Sequence, residues 1–521
     1  MPSPRLLTTR PFTRRTMLGA AVLGGGLALA GRNRLALARP AVQGTPVVPS
    51  GSLTIDLASE PATLDPANVY DADGWSVIHS VYDALVQYGP DGRLEPLLAE
   101  SLTALDPLTY EIALREGVRF HNGEPFDARA VTVSVAHLVD PETASQVGGL
   151  FKVIERVEEV DPLLVRLHLS APAPWLPAQM AAWLVMLPPD YATDPATDLA
   201  AKPVGTGPYR LDGWDRGSEI RLTANPDYAG AEIKGAPVAA AVTYRFVPEA
   251  STRVADLLGG GANLVRAVPV DQVASVRRGG ATVTEQAISG SAWVRIPTDV
   301  APFDDPRVRR ALNHAVDVDT IVAALLGGTG RRLANFFPEG GLGFDPDLAP
   351  IAYDPDLARA LLAEAGHPDG FETRLAYASS ERGDVVTAVA GFLNAVGVRT
   401  VLERVETATF NSQWTDPEAA PLRFATWRPL FDPYTLLNLI VSNQGFLSRH
   451  DNASVQTLID AAATEADEET RSETYRTLGQ VLRDEPAAIY LYSLTARYGV
   501  AAGAPAWTPR PDDYLIATKR G

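Results

Sequence analysis

Cysteine is absent from all 521 residues. That removes disulfide frameworks, thiolate metal sites and cysteine nucleophiles together. Histidine is scarce: the seven present are scattered, with no HxxxH or HExxH spacing to suggest a metal. No convincing G-x-S-x-G or S-x-x-K pattern marks a nucleophile. Gly327-Gly328-Thr329-Gly330 lacks the lysine of a phosphate-binding loop, and Gly259-Gly260-Gly261 reads as a turn. Long apolar runs are also missing. The one clear run, Met17–Ala30, is shorter than the roughly 20 residues a bilayer needs.

What is present is an ordinary globular composition, 46% hydrophobic and 21% charged, in a chain long enough for two or more domains. Charge is unevenly spread. The first 39 residues carry seven arginines and no acid. The remainder sets 38 basic against 63 acidic side chains, about −25. So acidic a body repels phosphate backbones, which argues against nucleic acid as a partner. Thr13-Arg14-Arg15-Thr16-Met17-Leu18, the apolar run and Ala36-Leu37-Ala38 together make a signal peptide. The paired arginines resemble a Tat signal, with an ordinary Sec signal as the alternative. Without cysteine no lipid anchor can form there. Residues 40–50 read as a tether.

The body is mixed α/β. Ser52–Ala58, Thr109–Leu114 and Leu163–Leu169 alternate as half-buried strands do, and Trp75–Val86 and Ala128–Leu138 fit helices. Asp305-Pro306 and Asp354-Pro355 are helix starts, an acidic cap followed by proline at the first helical position. The first of these helices is expected to continue through Ile321–Leu326 to a stop at Gly327-Gly328. Phe371–Ala378, Asp384–Val396 and Val398–Val405 form a strand–helix–strand unit, which favours a parallel sheet. Two helices near 454–465 and 469–483 precede a strand, Ala488–Leu494. The β-rich part gives way to the α/β part near Ser289–Gly290.

Several motifs recur in one order. They are Leu64-Asp65-Pro66, Tyr82-Asp83-Ala84-Leu85, Pro96–Ser101, Arg115–Asp127 (REGVRFHNGEPFD), Gly205-Thr206-Gly207-Pro208-Tyr209, Asn225–Tyr228, Phe303–Arg309 and Tyr353–Gly366. The ordered set resembles the peptide/nickel type of extracellular solute-binding proteins, family 5, cluster C. The resemblance implies a two-lobed periplasmic-binding-protein fold, class II-like, with a subdomain inserted in the first lobe. Lobe I is then expected to comprise 51–85, 204–290 and 495–521, the insert 86–203, and lobe II 291–494, joined by two crossing segments. It further implies capture of a peptide or similar solute between closing lobes, and delivery to an ABC permease with its ATPase subunits. No cofactor and no enzymatic activity are expected, and the protein is expected to be an exported, periplasmic or surface-associated monomer. A secreted hydrolase of peptides or glycosides is the alternative, since 63 acids supply some carboxylate pair in any fold.

Thr426–Tyr434 (TWRPLFDPY) corresponds to the stretch that lines the family's cleft. Trp427 would offer an apolar wall, Arg428 a bidentate partner for a carboxylate and Tyr434 a polar edge. Core packing of Trp427 and a solvated Arg428 are the competing readings. Tyr70, Trp75 and Trp293 are further candidates, with core packing the competing reading for Trp75 and Trp293. His121 reads as structural. In dipeptide and oligopeptide receptors an aspartate three residues after the tryptophan holds the peptide amino group, and Leu430 stands at that position here. The nickel branch has a histidine eighteen residues after it, where this chain has Gly445, and the arginines expected near Leu184–Pro189 are missing. Amino-group capture is thereby in doubt, and nickel binding is not expected.

Overall fold

The computed structural model describes residues 49–428, 431–445 and 447–520. The expected signal peptide 1–39, almost all of the tether 40–50, and Leu430 lie outside them.

Among the described residues the dominant element is a ten-stranded mixed sheet. Two of its strands are long, Thr282–Arg295 and Ala488–Val500, and they run antiparallel through its middle. At one end, Thr282–Ala287 pairs with Thr495–Val500, and the sheet continues through Leu264–Arg266, Ser52–Leu57, Ala241–Phe246, Glu219–Ala224 and Tyr209–Asp215. At the other end, Ser291–Arg295 pairs with Ala488–Ser493, and the sheet continues through Leu422–Trp427, Phe371–Ala378 and Val398–Val405. The register slips between Ala287 and Ser291 and again before Trp293. Bulges of this kind bend a strand and change its twist. Gly290 sits in this break. A Cβ there would lie 2.8 Å from the Leu494 side chain and 2.9 Å from the Trp427 carbonyl, so the backbones come together only because the residue is glycine.

Side chains alternate faces along a strand, and the second half of the sheet is covered on both. Ala292, Val294, Leu422, Phe424, Ile489 and Leu491 face one hydrophobic cluster. It is closed by helices Pro306–Ala315, Val318–Leu325, Pro355–Glu364 and Gly383–Ala395. Trp293, Ala425, Ala488 and Tyr490 face the other, under helices Ala453–Thr464 and Glu468–Asp484. The Asp-Pro starts hold: the Asp305 and Asp354 side chains accept from the backbone N–H of Arg307 and Leu357. The expected continuation to Leu326 does not hold as one helix. The first ends at Ala315, and Asp317 caps a new one by accepting from the N–H of Thr320. A cap of this kind favours restarting over continuing.

The insert builds its own four-stranded antiparallel sheet, Ala99–Asp106, Thr109–Leu114, Leu164–Leu169 and Ile154–Asp161. It is anchored to the first half by a tight turn. A Cβ on Gly205 would fall 2.2 Å from the Val81 carbonyl oxygen, at the end of helix Ala72–Val81. His121 grips the same turn, its Nε2 lying 3.0 Å from the Gly207 carbonyl oxygen. Burial lowers the His121 pKa to about 4, so the neutral ring donates there.

Candidate functional site

The two halves meet along a seam that starts at the bulge. Strand Leu422–Trp427 delivers Trp427 opposite Ser291, half-buried against the second cluster. The next residue, Arg428, leaves the strand and reaches across to the C-terminal segment, where its Nη1 lies 3.3 Å from Asp513 Oδ2. Its side chain is 39% exposed, whereas that of Asp513 is 4% exposed.

Asp513 belongs to a buried ionic chain. Arg266 donates to Asp513 Oδ2 and to its carbonyl oxygen, each at 2.7 Å, and Tyr498 donates its hydroxyl to Oδ1. On its other side, Arg266 Nε lies 2.8 Å from Asp73 Oδ1. Asp73 Oδ2 in turn accepts from the backbone N–H groups of Ala58 and Ser59. Burial alone would lower the Arg266 pKa; the carboxylates of Asp513 and Asp73 outweigh it and hold the pKa above its ordinary value. The chain therefore pins the first strand, helix Ala72–Val81 and the C-terminus to one point. Asp513 keeps a left-handed backbone, φ 66°, which aspartate tolerates better than most residues.

Beside this chain runs an aromatic stack. Tyr514 lies 4.8 Å from His79 and 6.3 Å from Trp75, nearly parallel to both, and Trp183 packs edge-on against Trp75 at 5.2 Å. The Trp75 indole N–H and His79 Nε2 are buried without a hydrogen-bond partner. Burial, followed by the charges of Lys234 and Arg510, holds the His79 pKa well below its ordinary value, so the ring is neutral. Below the stack is a small cavity with room for about one water molecule, lined by His79, Gln87, Tyr88, Lys234, Arg510 and Tyr514 among others.

At its far end the seam is closed by aromatic contacts. Tyr434 stacks on Trp175, centroids 4.0 Å apart and planes at 7°; Phe431 packs on Tyr88, also at 4.0 Å. Thr435 donates to Gln179 Oε1 at 2.6 Å. Asp432 sets this segment. One oxygen accepts from the Tyr434 backbone N–H at 2.9 Å, and the other lies 2.9 Å from Arg471 in a buried ion pair. Asp432 is thus already committed to a helix start and an arginine, which leaves it no role in holding an amino group.

Of the six sequence candidates, Trp427, Arg428 and Tyr434 lie on this seam, and Trp75 joins its aromatic stack. Tyr70 lies to the side. Its hydroxyl donates to the Ala67 carbonyl oxygen and accepts from the Gln146 N–H, tying the insert to the first half. Trp293 is wholly enclosed, edge-on to Phe336 and Trp414, with its indole N–H unpartnered. Gly445 leaves no room for the nickel-branch histidine, since a Cβ there would come 2.5 Å from two carbonyl oxygens. The sequence reading missed Asp73, Arg266, Asp513, Tyr514, Trp175 and Glu381. Only the Asp512-Asp513-Tyr514 run, acidic and aromatic near the C-terminus, carried a local signal. Glu381 sits beside Arg428, accepts from the Thr426 hydroxyl at 2.9 Å, and is raised in pKa chiefly by burial. Among the described residues no group of three or more histidines and acids is placed to hold a metal ion.

Residues 93–448 match the description of bacterial extracellular solute-binding proteins, family 5 Middle. The chain belongs to this family. Among curated family 5 relatives, the glutathione-binding protein GsiB of Salmonella paratyphi A is 31% identical over 335 residues. That match covers 63% of this chain and 64% of the relative, so the chain spans just under two thirds of the length of the curated relatives it matches. Among solved structures, the periplasmic binding protein DppA of Helicobacter pylori, in complex with the peptide STSA, superposes with a TM-score of 0.79 at 24% identity. It covers 90% of this chain and 97% of that one. AgaA of A. tumefacien R10, in complex with agropinic acid, gives 0.76 at 26% identity over 87% and 94%. The fold is accordingly the two-lobed binding-protein fold.

Proposed function

We propose that this protein is the extracytoplasmic solute-binding component of an ABC importer, and that it closes two lobes over a peptide or a similar solute. One observation carries the reading. A single sheet is divided by a bulge in its two long crossing strands, and the faces meeting beyond that bulge are polar and aromatic. Hinges absorb dihedral change in a few residues, and closure requires that ligand bind the closed form better than the open one. The lobes proposed are 51–85, 204–290 and 495–521 with the insert 86–203, against 291–494. Export by the Arg14-Arg15 signal and delivery to a permease with its ATPase subunits belong to the same proposal.

Trp427, Arg428, Trp75 and Tyr514 are proposed to surround the solute. Asp513 is already satisfied by Arg266 and Tyr498, so Arg428 can turn to a solute carboxylate without stranding a buried charge. Burial raises the Glu381 pKa, and a solute cation beside it would favour its charged form. Tyr434 is assigned to closing the mouth, while Tyr70 and Trp293 support the walls. Glutathione, the STSA peptide and agropinic acid, named with the relatives above, set the range to screen. The test is mass spectrometry of solute released on denaturation, then scattering and thermal unfolding with that compound. Compaction and a raised midpoint without turnover are expected. Catalytic turnover, or binding with no change in dimensions, would overturn the reading.

A further inference from the structure

Away from the seam, the second half of the sheet holds two arginines that have no obvious reason to be buried. Arg295 and Arg423 stand directly opposite each other on neighbouring strands. They are 4% and 0% exposed, so both guanidinium groups are withdrawn from water. Arginine does not give up its proton in proteins, so two positive charges are enclosed side by side. Among the described residues neither has a carboxylate within ion-pairing distance. Of the acids whose charge reaches them, Glu403 pairs with Arg374, Asp299 pairs with Arg449, and Asp416 accepts from the Glu418 backbone N–H.

Their surroundings are suited to cations but do not neutralise them. Arg423 lies 4.0 Å above the Phe410 ring, and both arginines lie within 5.3 Å of the Trp414 ring centre. Such contacts attract a cation without supplying a counter-charge. Each arginine donates once to a backbone carbonyl, Arg295 to Trp414 at 2.6 Å and Arg423 to Phe410 at 2.5 Å. Three further nitrogens, Arg295 Nε, Arg423 Nε and Arg423 Nη1, are buried with no partner. Burial draws Arg295 down to about 9, and repulsion from Arg423 and Arg449 adds to it; burial draws Arg423 to about 10. Unspent donors beside uncompensated charge are the features an anion satisfies.

We propose that Arg295 and Arg423 form a buried site for a small inorganic anion of the size of chloride, seated between the two guanidinium groups under Trp414. Three unspent donors on two facing side chains suit a small anion. The anion ties strands Thr282–Arg295 and Leu422–Trp427 to the segment 407–414, and so stiffens the wall from which Trp427 and Arg428 project.

Two measurements on the whole protein test this. Crystals grown with bromide in place of chloride are expected to show an anomalous peak within hydrogen-bond reach of both side chains; featureless density there overturns the site. In solution at constant ionic strength, replacing gluconate by chloride is expected to raise the thermal midpoint by roughly 3 °C at about a hundred times Kd. Arg423→Met should lose that rise. An equal rise in wild type and Arg423→Met would mean general salt action and would also overturn the proposal. If Arg423→Met does not fold, Arg423→Lys serves, keeping one charge but fewer donors, with a weakened chloride response expected and an unchanged one counting against the site.

Discussion

Two groups of buried cations in this molecule are balanced in opposite ways. In the first, Arg266 lies between Asp73 and Asp513, and Lys234 sits 2.7 Å from Asp83 with the carbonyl oxygens of His79 and Tyr82 also accepting. In the second, Arg295 and Arg423 face aromatic rings and carbonyls alone. The paired charges join segments distant in sequence, at the point where strand Ser52–Leu57, helix Ala72–Val81 and the C-terminus converge. A buried ion pair is weak evidence of net stabilisation, but taking one partner from it is costly. Asp513→Asn keeps a residue that tolerates the left-handed backbone while removing the charge opposite Arg266. It is expected to lower the unfolding free energy by about 3 kcal/mol or more, measured by denaturant titration. Arg423→Met in chloride-free buffer should cost less than about 1 kcal/mol or even stabilise, because it removes a charge that no carboxylate balances. Equal losses in the two variants would erase the contrast.

Acid should act on both halves alike. His121 in the insert and His450 in the second half are each lowered to about 4, first by burial. His450 is neutral and donates from Nδ1 to the Val441 carbonyl oxygen at 3.0 Å. A histidine depressed in the folded state binds fewer protons there than when unfolded, so stability rises with pH between about 4 and the ordinary value of 6.5. The contribution is complete above about pH 6.5 and is lost as pH falls through the window, up to about 3 kcal/mol for each group. His450→Gln should flatten part of this acid limb in unfolding free energies taken from pH 7 to pH 4. An unchanged slope would remove His450 from the account.

Along the seam, the buried Asp73–Arg266–Asp513 chain lies near the bulge, and the Tyr434–Trp175 stack closes the far end beside the Asp432–Arg471 pair. Tyr434→Ala removes the stack on Trp175. Such pairs contribute about 0.5–1.5 kcal/mol beyond the area they bury, so the closed form should lose about 2 kcal/mol. A larger radius of gyration without solute, restored by solute, is the expected result in scattering. If the radius stays the same, the stack does not hold the lobes together.

What could be read from the sequence was local. The helix starts at Asp305 and Asp354, and the unit Phe371–Ala378, Gly383–Ala395, Val398–Val405, are written in adjacent residues and were found there. Strands Ala99–Asp106 and Ile154–Asp161 escaped because they flank their sheet and present mostly exposed residues, which blurs the alternation. Trp427, Arg428 and Tyr434 are candidates through family resemblance rather than pattern. The chain from Asp73 through Arg266 to Asp513 was not legible. Its members lie 190 or more residues apart on elements whose pairing no local rule predicts, and nothing in a lone arginine says which carboxylate it will meet.

Arg428→Met should have the smallest effect on stability and still be the most informative about the solute. Arg428 is more than a third exposed, and ion pairs of that kind contribute about 0–1 kcal/mol. Asp513 keeps Arg266 and Tyr498 when Arg428 is lost, so no buried charge is stranded and the unfolding midpoint should barely move. A hydrogen bond to a charged group, by contrast, contributes about 1.5–3 kcal/mol, so a solute carboxylate seated on Arg428 should bind at least about tenfold more weakly to the variant. Stability and affinity therefore separate at this one residue. Loss of both together would place Arg428 with Asp513 as part of the fold, and loss of neither would move the solute elsewhere along the seam.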